Sequence, residues 1–367
     1  MKIVVTGAKG FIGKNLCIML RERGHQDLVE VDRETSRESL AKYLSEADFV
    51  YHLAGINRPK DDTEFQQGNV DLTCFIVEKL KQSNKKVPLI VSSSTQAERD
   101  NAYGQSKLIA EKSVEQYGND TGAPYYIYRF PNVFGKWCKP NYNSFVATFC
   151  YNILNDVDIT INEPSAQVTL VYIDDVCRSL ISLLDGSEFS GFKSVSPEYL
   201  TTVGGVADLL RAFKDSRNNL VTENVGTGLC RALYSTFLSY MSPEQFSYAI
   251  PSYGDERGVF SEMLKTKDAG QFSFFTAHPG ITRGGHYHHT KNEKFLVVKG
   301  KALFKFEHIA TGERYELQTD SSSPQIVETV PGWSHDITNI GDEEMIVMLW
   351  ANEIFDLEAP DTFSRPL

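Results

Sequence analysis

The texture of the chain changes near residue 246, and that change limits most strongly how it can fold. Before it, short apolar runs alternate with segments of helical spacing: Ile3-Val4-Val5, Leu28-Val29-Glu30-Val31, Phe49-Val50-Tyr51-His52-Leu53, Leu89-Ile90-Val91-Ser92 and Tyr125-Tyr126-Ile127-Tyr128. Strands that alternate with helices give a parallel, doubly wound sheet. After residue 246 only short alternating runs remain, Phe272 to Phe275, Lys294 to Val298, Ala302 to Phe306, Ile326 to Val330 and Met345 to Trp350, with Gly or Pro between them. That is the pattern of an all-β barrel or jelly roll. The expectation is an α/β domain over 1–245, completed by a small lobe from about 185, and an all-β domain over 246–367. A length of 367 residues agrees, since one core rarely organises so long a chain.

Composition excludes some partners. A net charge of -11 leaves no excess of cations to neutralise a nucleic acid or an anionic membrane. No apolar run is long enough to cross a bilayer, and Met1 leads directly into a strand, so a cytoplasmic protein without membrane insertion is expected. The six cysteines are scattered without paired spacing, as reduced thiols would be.

The first strand runs into Thr6-Gly7-Ala8-Lys9-Gly10-Phe11-Ile12-Gly13 and then a helix with Leu16, Met19 and Leu20 on one face. Glycines in such a turn let the backbone approach a pyrophosphate, whose charge sits against the helix N-terminus. The second strand ends in Asp32-Arg33. The acid suits a free ribose 2′-hydroxyl and the guanidinium a 2′-phosphate, so the pair leaves NAD and NADP both open. Later strands end in Ala54-Gly55 and in Ser92-Ser93-Ser94, small enough to admit a cofactor. Tyr103 and Lys107 follow, four residues apart on one helical face. There the ammonium can lower the pKa of the phenol while Ser94 holds a substrate oxygen.

With these residues, 1 to about 240 resembles the extended short-chain dehydrogenase/reductases, built on a Rossmann-like fold. The resemblance implies that Leu53, Ala54, Gly55, Asn69, Ser92 and Phe130 join the glycine turn in holding the cofactor. Arg129-Phe-Pro-Asn132-Val-Phe-Gly135 resembles the segment that nucleotide-sugar members place beside the substrate, and Asp174 or Asp175 would cap a helix. Dehydratases of this group carry an Asp-Glu pair after the Ser or Thr position. Here Thr95-Gln96 follows Ser94, which favours carbonyl reduction. The loop after Asn132 offers Lys136, Trp137, Lys139 and Asn141, stacking faces and cations suited to a uracil and a diphosphate, and Arg58 is placed with them.

The all-β part carries Gly280-x5-His286-x-His288-x4-Glu293-x6-Gly300 and Gly332-x2-His335-x3-Asn339. Alternate residues of a strand face one side, so His286 and His288 can share a metal that Glu293 and His335 complete from neighbouring strands. His289 faces away. The segment resembles the cupins; Pro331 abuts Gly332 where the usual pattern spaces them by one, which touches the turn but not the ligand position. Imidazoles plus carboxylate suit zinc, manganese, iron or nickel, and one zinc ion per chain is expected, as a Lewis acid on a carbonyl.

Nearly the whole chain resembles the CapF family of bacterial capsular-polysaccharide enzymes, including the runs Lys136 to Ser144 and His288 to Val298. The resemblance implies a homodimer that acts on a UDP-linked 2-acetamido-2,6-dideoxy-4-hexulose, a 4-keto-6-deoxy amino sugar. The cupin would invert C3, and the reductase would then reduce C4 with NADPH to UDP-N-acetyl-6-deoxy-L-talosamine, a precursor of UDP-N-acetyl-L-fucosamine. Tyr287, His289 and Lys294 stand as candidates for the epimerisation base. Two other readings remain open at this level: a reductase whose cupin serves dimerisation or sensing, and a C4 epimerase that keeps NAD bound.

Overall fold

The structure is a computed structural model; it describes every residue except Lys60, Asp62, Asn84, Ser187, Thr290, Pro331 and Ala359. The cupin-turn departure at Pro331 therefore lies outside the described residues. The chain forms two compact units, one made of Met1–Leu210 and Ala232–Met241, the other of Arg211–Arg231 and Ser242–Leu367. The 211–231 stretch falls with the second unit, where Val221–Thr222 pairs in parallel with Gly258–Thr266.

Six parallel strands organise the first unit. Ile3–Thr6 lies between Leu28–Val31 and Phe49–His52, followed outward by Leu89–Ser94, Tyr125–Phe130 and Gly191–Lys193. Every residue of the first and third strands is buried, as expected when helices cover both faces of a parallel sheet. One core joins Val4, Val50, Val91 and Ile127 of the strands to Leu40, Leu44, Ile76, Leu80 and Val114 of the helices. The strands end at one edge, where the glycine turn, Ala54 and Ser94 lie. A second, three-stranded sheet of Asn132–Phe134, Gln167–Tyr172 and Tyr199–Thr202 follows. The helix Ile173–Ser182 has Tyr172 as its N-cap and no side-chain cap bond. Asp174 and Asp175 are not caps, then: they sit in its first turn, paired with Lys136 and Arg178.

The second unit is two sheets, antiparallel except where Val221–Thr222 joins the larger one. The larger is built around Gly258–Thr266, Gly270–Ala277, Met345–Ala351 and Glu293–Lys299; the smaller runs Arg314–Asp320, Lys301–His308, Trp333–Asn339, Thr282–Tyr287 and Phe363–Ser364. Alternating residues of both sheets, among them Phe275, Phe295, Val347, Phe304, Phe306 and Ile337, form a single core. Each such ring or aliphatic chain contributes about 1.5–3 kcal/mol by leaving water.

Candidate active sites

The cupin motif works through register. Thr282–Tyr287 and Trp333–Asn339 are antiparallel neighbours with His286 opposite His335, and a bulge lies between Gly284 and His286. Gly284 adopts φ +96°, and a Cβ there would sit 2.9 Å from the carbonyl oxygen of His335. Only glycine allows both the left-handed backbone and that approach. His288 lies just past the strand, and Glu293 opens the next one.

His286, His288, Glu293 and His335 offer ligand atoms that all lie within 4.8 Å of one another. Nε2 of His288 and Nε2 of His335 are each 3.4 Å from Glu293 Oε2. A tetrahedral site with bonds of about 2.1 Å has ligand-to-ligand edges of about 3.4 Å, so the spacing fits a first-row divalent ion. Both ring nitrogens of His335 are buried without a hydrogen bond among the described residues, a state that coordination would relieve. Burial, helped by neighbouring His335, pulls the pKa of His286 down to about 4, leaving the neutral imidazole a metal needs. Burial pushes the Glu293 carboxyl up, but His288, His335 and Lys291 outweigh it and hold the group well below the usual carboxylate range.

The surroundings orient these ligands. Nδ1 of His288 donates to the carbonyl of Asp361 at 2.5 Å, which turns Nε2 toward the cluster as an acceptor. The Asp361 carboxylate takes the backbone N–H groups of His289 and Lys291. Lys291, buried, places its ammonium 3.4 Å from Glu293 Oε1. Neither Asp361 nor Lys291 was singled out from the sequence; Lys291 lies inside the motif, but Asp361 is some seventy residues from the loop it ties. Of the candidate bases, Lys294 turns outward and pairs with Glu328. Tyr287 stacks on Phe363, and His289 is exposed beside the same ring.

At the carboxyl edge of the parallel sheet, the glycine turn is closely packed. A Cβ on Gly7 (φ +71°) would lie 2.7 Å from the nitrogen of Ala54, and one on Gly13 2.2 Å from the oxygen of Gly7. This cradle, followed by the helix Phe11–Glu22, fits a pyrophosphate at a helix N-terminus. Lys9 pairs with Asp32 and lies 3.7 Å from Glu34, while Arg33 is exposed beside them. The six-residue π-helix Gln66–Asp71 carries Asn69, whose side chain bonds both N–H and C=O of Ile56 and the Ser106 hydroxyl. It thereby ties the Gly55 loop to the helix of Tyr103.

That helix, Ala102–Thr121, begins at Asn101, whose side chain accepts from the N–H of Gly104. Lys107 is buried, its ammonium 3.1 Å from the carbonyl of Ser92 and 5.9 Å from the Tyr103 ring centre; burial lowers its pKa to about 8 although Glu111 raises it. The Tyr103 phenol moves the other way. Burial raises it, and a hydrogen bond with Ser94 offsets part of the rise. The Lys107 ammonium lies over the Tyr103 ring while it bonds the carbonyl of Ser92. Leu53 and Phe130 end their strand regions at this edge, Leu53 bonding through its N–H to the carbonyl of Thr6. Glu111, one turn beyond Lys107 and almost fully buried, receives a two-pronged bond from Arg129 and one from the Ser93 hydroxyl. Arg129 thus braces the sheet and leaves the substrate side to its neighbours, and no local sequence signal marks the pairing.

The loop after Asn132 brings its cations together on aromatic faces. Arg58 and Lys139 lie 5.8 and 5.5 Å from the ring centre of Tyr142, and Lys14 and Lys136 lie 4.9 and 5.5 Å from that of Trp137, which is 42% exposed. Lys136 is committed to Asp174. Asn132 bonds the carbonyl of Thr169, and Asn141 reaches Asn152.

These features define a nucleotide-cofactor reductase joined to a metal-binding cupin. Comparisons with known proteins are specific. Residues 3–191 match the NAD dependent epimerase/dehydratase family and residues 253–363 the polysaccharide biosynthesis C-terminal domain. A UDP-2-acetamido-2,6-beta-L-arabino-hexul-4-ose reductase of Pseudomonas aeruginosa is 54% identical over 99% of this chain and 98% of its own length. The crystal structure of the capsular polysaccharide assembling protein CapF from Staphylococcus aureus superposes with a TM-score of 0.92 at 42% identity, both chains covered completely. A UDP-glucuronic acid 4-epimerase from Bacillus cereus shares the fold of 65% of the chain, with a TM-score of 0.55 at 19% identity and 99% of its own chain covered. The chain belongs to the CapF-type family of bifunctional reductase–cupin enzymes of capsular polysaccharide biosynthesis.

Proposed function

We propose that this enzyme inverts C3 of a UDP-linked 2-acetamido-2,6-dideoxy-4-hexulose in its cupin unit and then reduces C4 with NADPH to UDP-N-acetyl-6-deoxy-L-talosamine. The observation that carries the reading is the pairing in one chain of two sites able to act on the same ketone: Tyr103, Lys107 and Ser94 beside a dinucleotide cradle, and a three-histidine, one-glutamate cluster in a barrel.

A hydrogen α to a ketone is acidic, so a site that stabilises the enolate can exchange it and invert the centre reversibly. A divalent ion, zinc in this proposal, supplies when bound a Lewis acid for that ketone. His286, His288, Glu293 and His335 would hold it, with Asp361 fixing the tautomer of His288. Reduction then removes the ketone and traps the inverted carbon. Ser94 holds the C4 oxygen and Tyr103 gives it a proton. Lys107 offers its charge to the cofactor ribose once the cofactor replaces the Ser92 contact. Gly7, Lys9, Gly10, Phe11, Ile12 and Gly13 line the pyrophosphate, with Leu53, Ala54, Gly55, Asn69, Ser92 and Phe130 beyond. Lys9 and Arg33, two cations next to Asp32, support NADPH. Arg58 and Lys139 over the ring of Tyr142, with Lys136, Trp137, Asn132 and Asn141 as further groups, supply cations and faces for the UDP portion.

Six free cysteines support a reducing cytoplasm, and no helix among the described residues is long and apolar enough to cross a membrane. The homodimer is part of the proposal, checked by sedimentation. The test of function is product structure: the 4-keto sugar nucleotide with NADPH should give the talo product by NMR, whereas a product of unchanged C3 configuration would overturn the cupin's catalytic role.

A further inference from the structure

Within the second unit, Arg283 lines the cavity of about 140 Å³ that also contains His286, Glu293 and His335. It belongs to the same strand as His286 and lies opposite Ile337, a core residue, in the register with Trp333–Asn339. Its guanidinium stacks over the Phe275 ring at 5.2 Å. Its Nε is removed from solvent and has no hydrogen-bond partner among the described residues. Asp336 lies opposite Gly284 and Lys305 on the other face of the sheet, where Lys305 acts on it, so it is no partner for the guanidinium. The carboxylate facing the cavity, Glu293, is engaged by Lys291, His288 and His335 and not by Arg283. Leaving a buried N–H unmade costs free energy unless a bound molecule completes it.

We propose that Arg283 is a substrate-binding residue of the cupin cavity, whose fork of N–H groups takes the C4 oxygen and the neighbouring C3 hydroxyl oxygen of the keto sugar. The inference rests on the C3-inversion reading above. When the C3 proton leaves for a base of the cavity, the C–H electron pair forms the C3=C4 double bond and the carbonyl pair moves onto O4. The guanidinium donates to that oxygen more strongly as its charge grows. Return of a proton to the opposite face of C3 restores the ketone. A fixed donor in a cavity poor in water favours the charged state over the neutral one, which raises turnover more than affinity. Two oxygens on adjacent carbons suit the planar fork of an arginine and not the point charge of a lysine.

The test uses the full chain, without NADPH, and follows solvent deuterium entering C3. Arg283→Gln should lower the turnover of exchange about 100-fold or more, the loss seen when an oxyanion donor is removed, with a smaller change in KM. Arg283→Lys should recover only part of it, and added ethylguanidine should restore exchange to Arg283→Ala, a rescue that a packing role would not produce. Metal content and reduction of a substrate supplied with C3 already inverted should stay at the wild-type level. Exchange at the wild-type rate in Arg283→Gln, or in Arg283→Lys should the glutamine variant not fold, would overturn the proposal. An absence of exchange in the wild type itself would instead overturn the inversion reading on which it rests.

Discussion

His288 donates its Nδ1 proton to the backbone carbonyl of Asp361, so a residue from the end of the described fold sets which nitrogen of a ligand histidine faces the cluster. The Asp361 side chain meanwhile ties down the loop through His289 and Lys291. Partners of this kind typically change metal affinity about 10–100-fold when lost. Asp361→Ala keeps that carbonyl but releases the loop from the carboxylate that holds it in place against His288, so it should weaken zinc binding about tenfold while the four ligands remain, as measured by competition with a chromophoric chelator. Unchanged affinity would show that the loop holds its own geometry.

Tyr103→Phe should abolish NADPH oxidation and leave C3 exchange intact, because the proposed scheme uses the phenol only in the reductive step. Burial already holds this phenol protonated, with Ser94 in contact. Stopped-flow absorbance at the nicotinamide band, beside deuterium incorporation, separates the two activities. Wild-type reduction by the variant would remove Tyr103 as the proton donor.

For the cofactor, Arg33→Ala should weaken NADPH more than NADH, by about 1.5–3 kcal/mol if one charge-assisted bond to the 2′-phosphate is lost. Equal weakening of both, by fluorescence titration, would place Arg33 away from the phosphate.

The pH dependence of stability should carry the mark of His52. The Thr73 hydroxyl donates to the carbonyl of Asn69, so it accepts from Nε2 of His52. That leaves Nδ1 to accept from Thr6, whose oxygen takes the N–H of Ala54. The chain of bonds requires a neutral ring, and burial, reinforced by Lys107, pulls its pKa down to about 3 from 6.5. Below pH 6.5 the unfolded chain binds a proton that the folded one refuses, so stability is full above 6.5 and falls with decreasing pH until about 3. The slope from this one group approaches about 1.4 kcal/mol per pH unit. Urea midpoints should drop accordingly between pH 6.5 and 5, and less steeply in His52→Gln; parallel profiles would show that another group dominates.

Much of the architecture was legible because its signals are local. The buried parallel strands announced themselves as continuous apolar runs, and the barrel strands as alternation, since burial on two faces or one dictates those patterns. The four residues of the cupin cluster could be named from spacing, and they do converge. What escaped was long-range. Nothing near Asp361 indicates that it would fold back on His288, and nothing in the segment from Arg129 to Gly135, expected beside the substrate, shows that its first residue is held by Glu111. Lys107 was expected beside Tyr103, and its ammonium does lie over that ring, but its additional bond to the carbonyl of Ser92 had no local signal. The helix at Ile173 likewise takes Tyr172 as its cap although two acids follow.

The most direct measurement for the whole account is solvent deuterium entry at C3, made on the full chain with metal restored, with metal removed, and in His288→Gln, all without NADPH. Metal-replete enzyme should incorporate deuterium, and both other samples should not, while His288→Gln should still reduce a substrate already inverted at C3. Incorporation at the same rate in metal-free enzyme would contradict the account, making the His286, His288, Glu293 and His335 cluster structural and leaving enolisation to side chains alone.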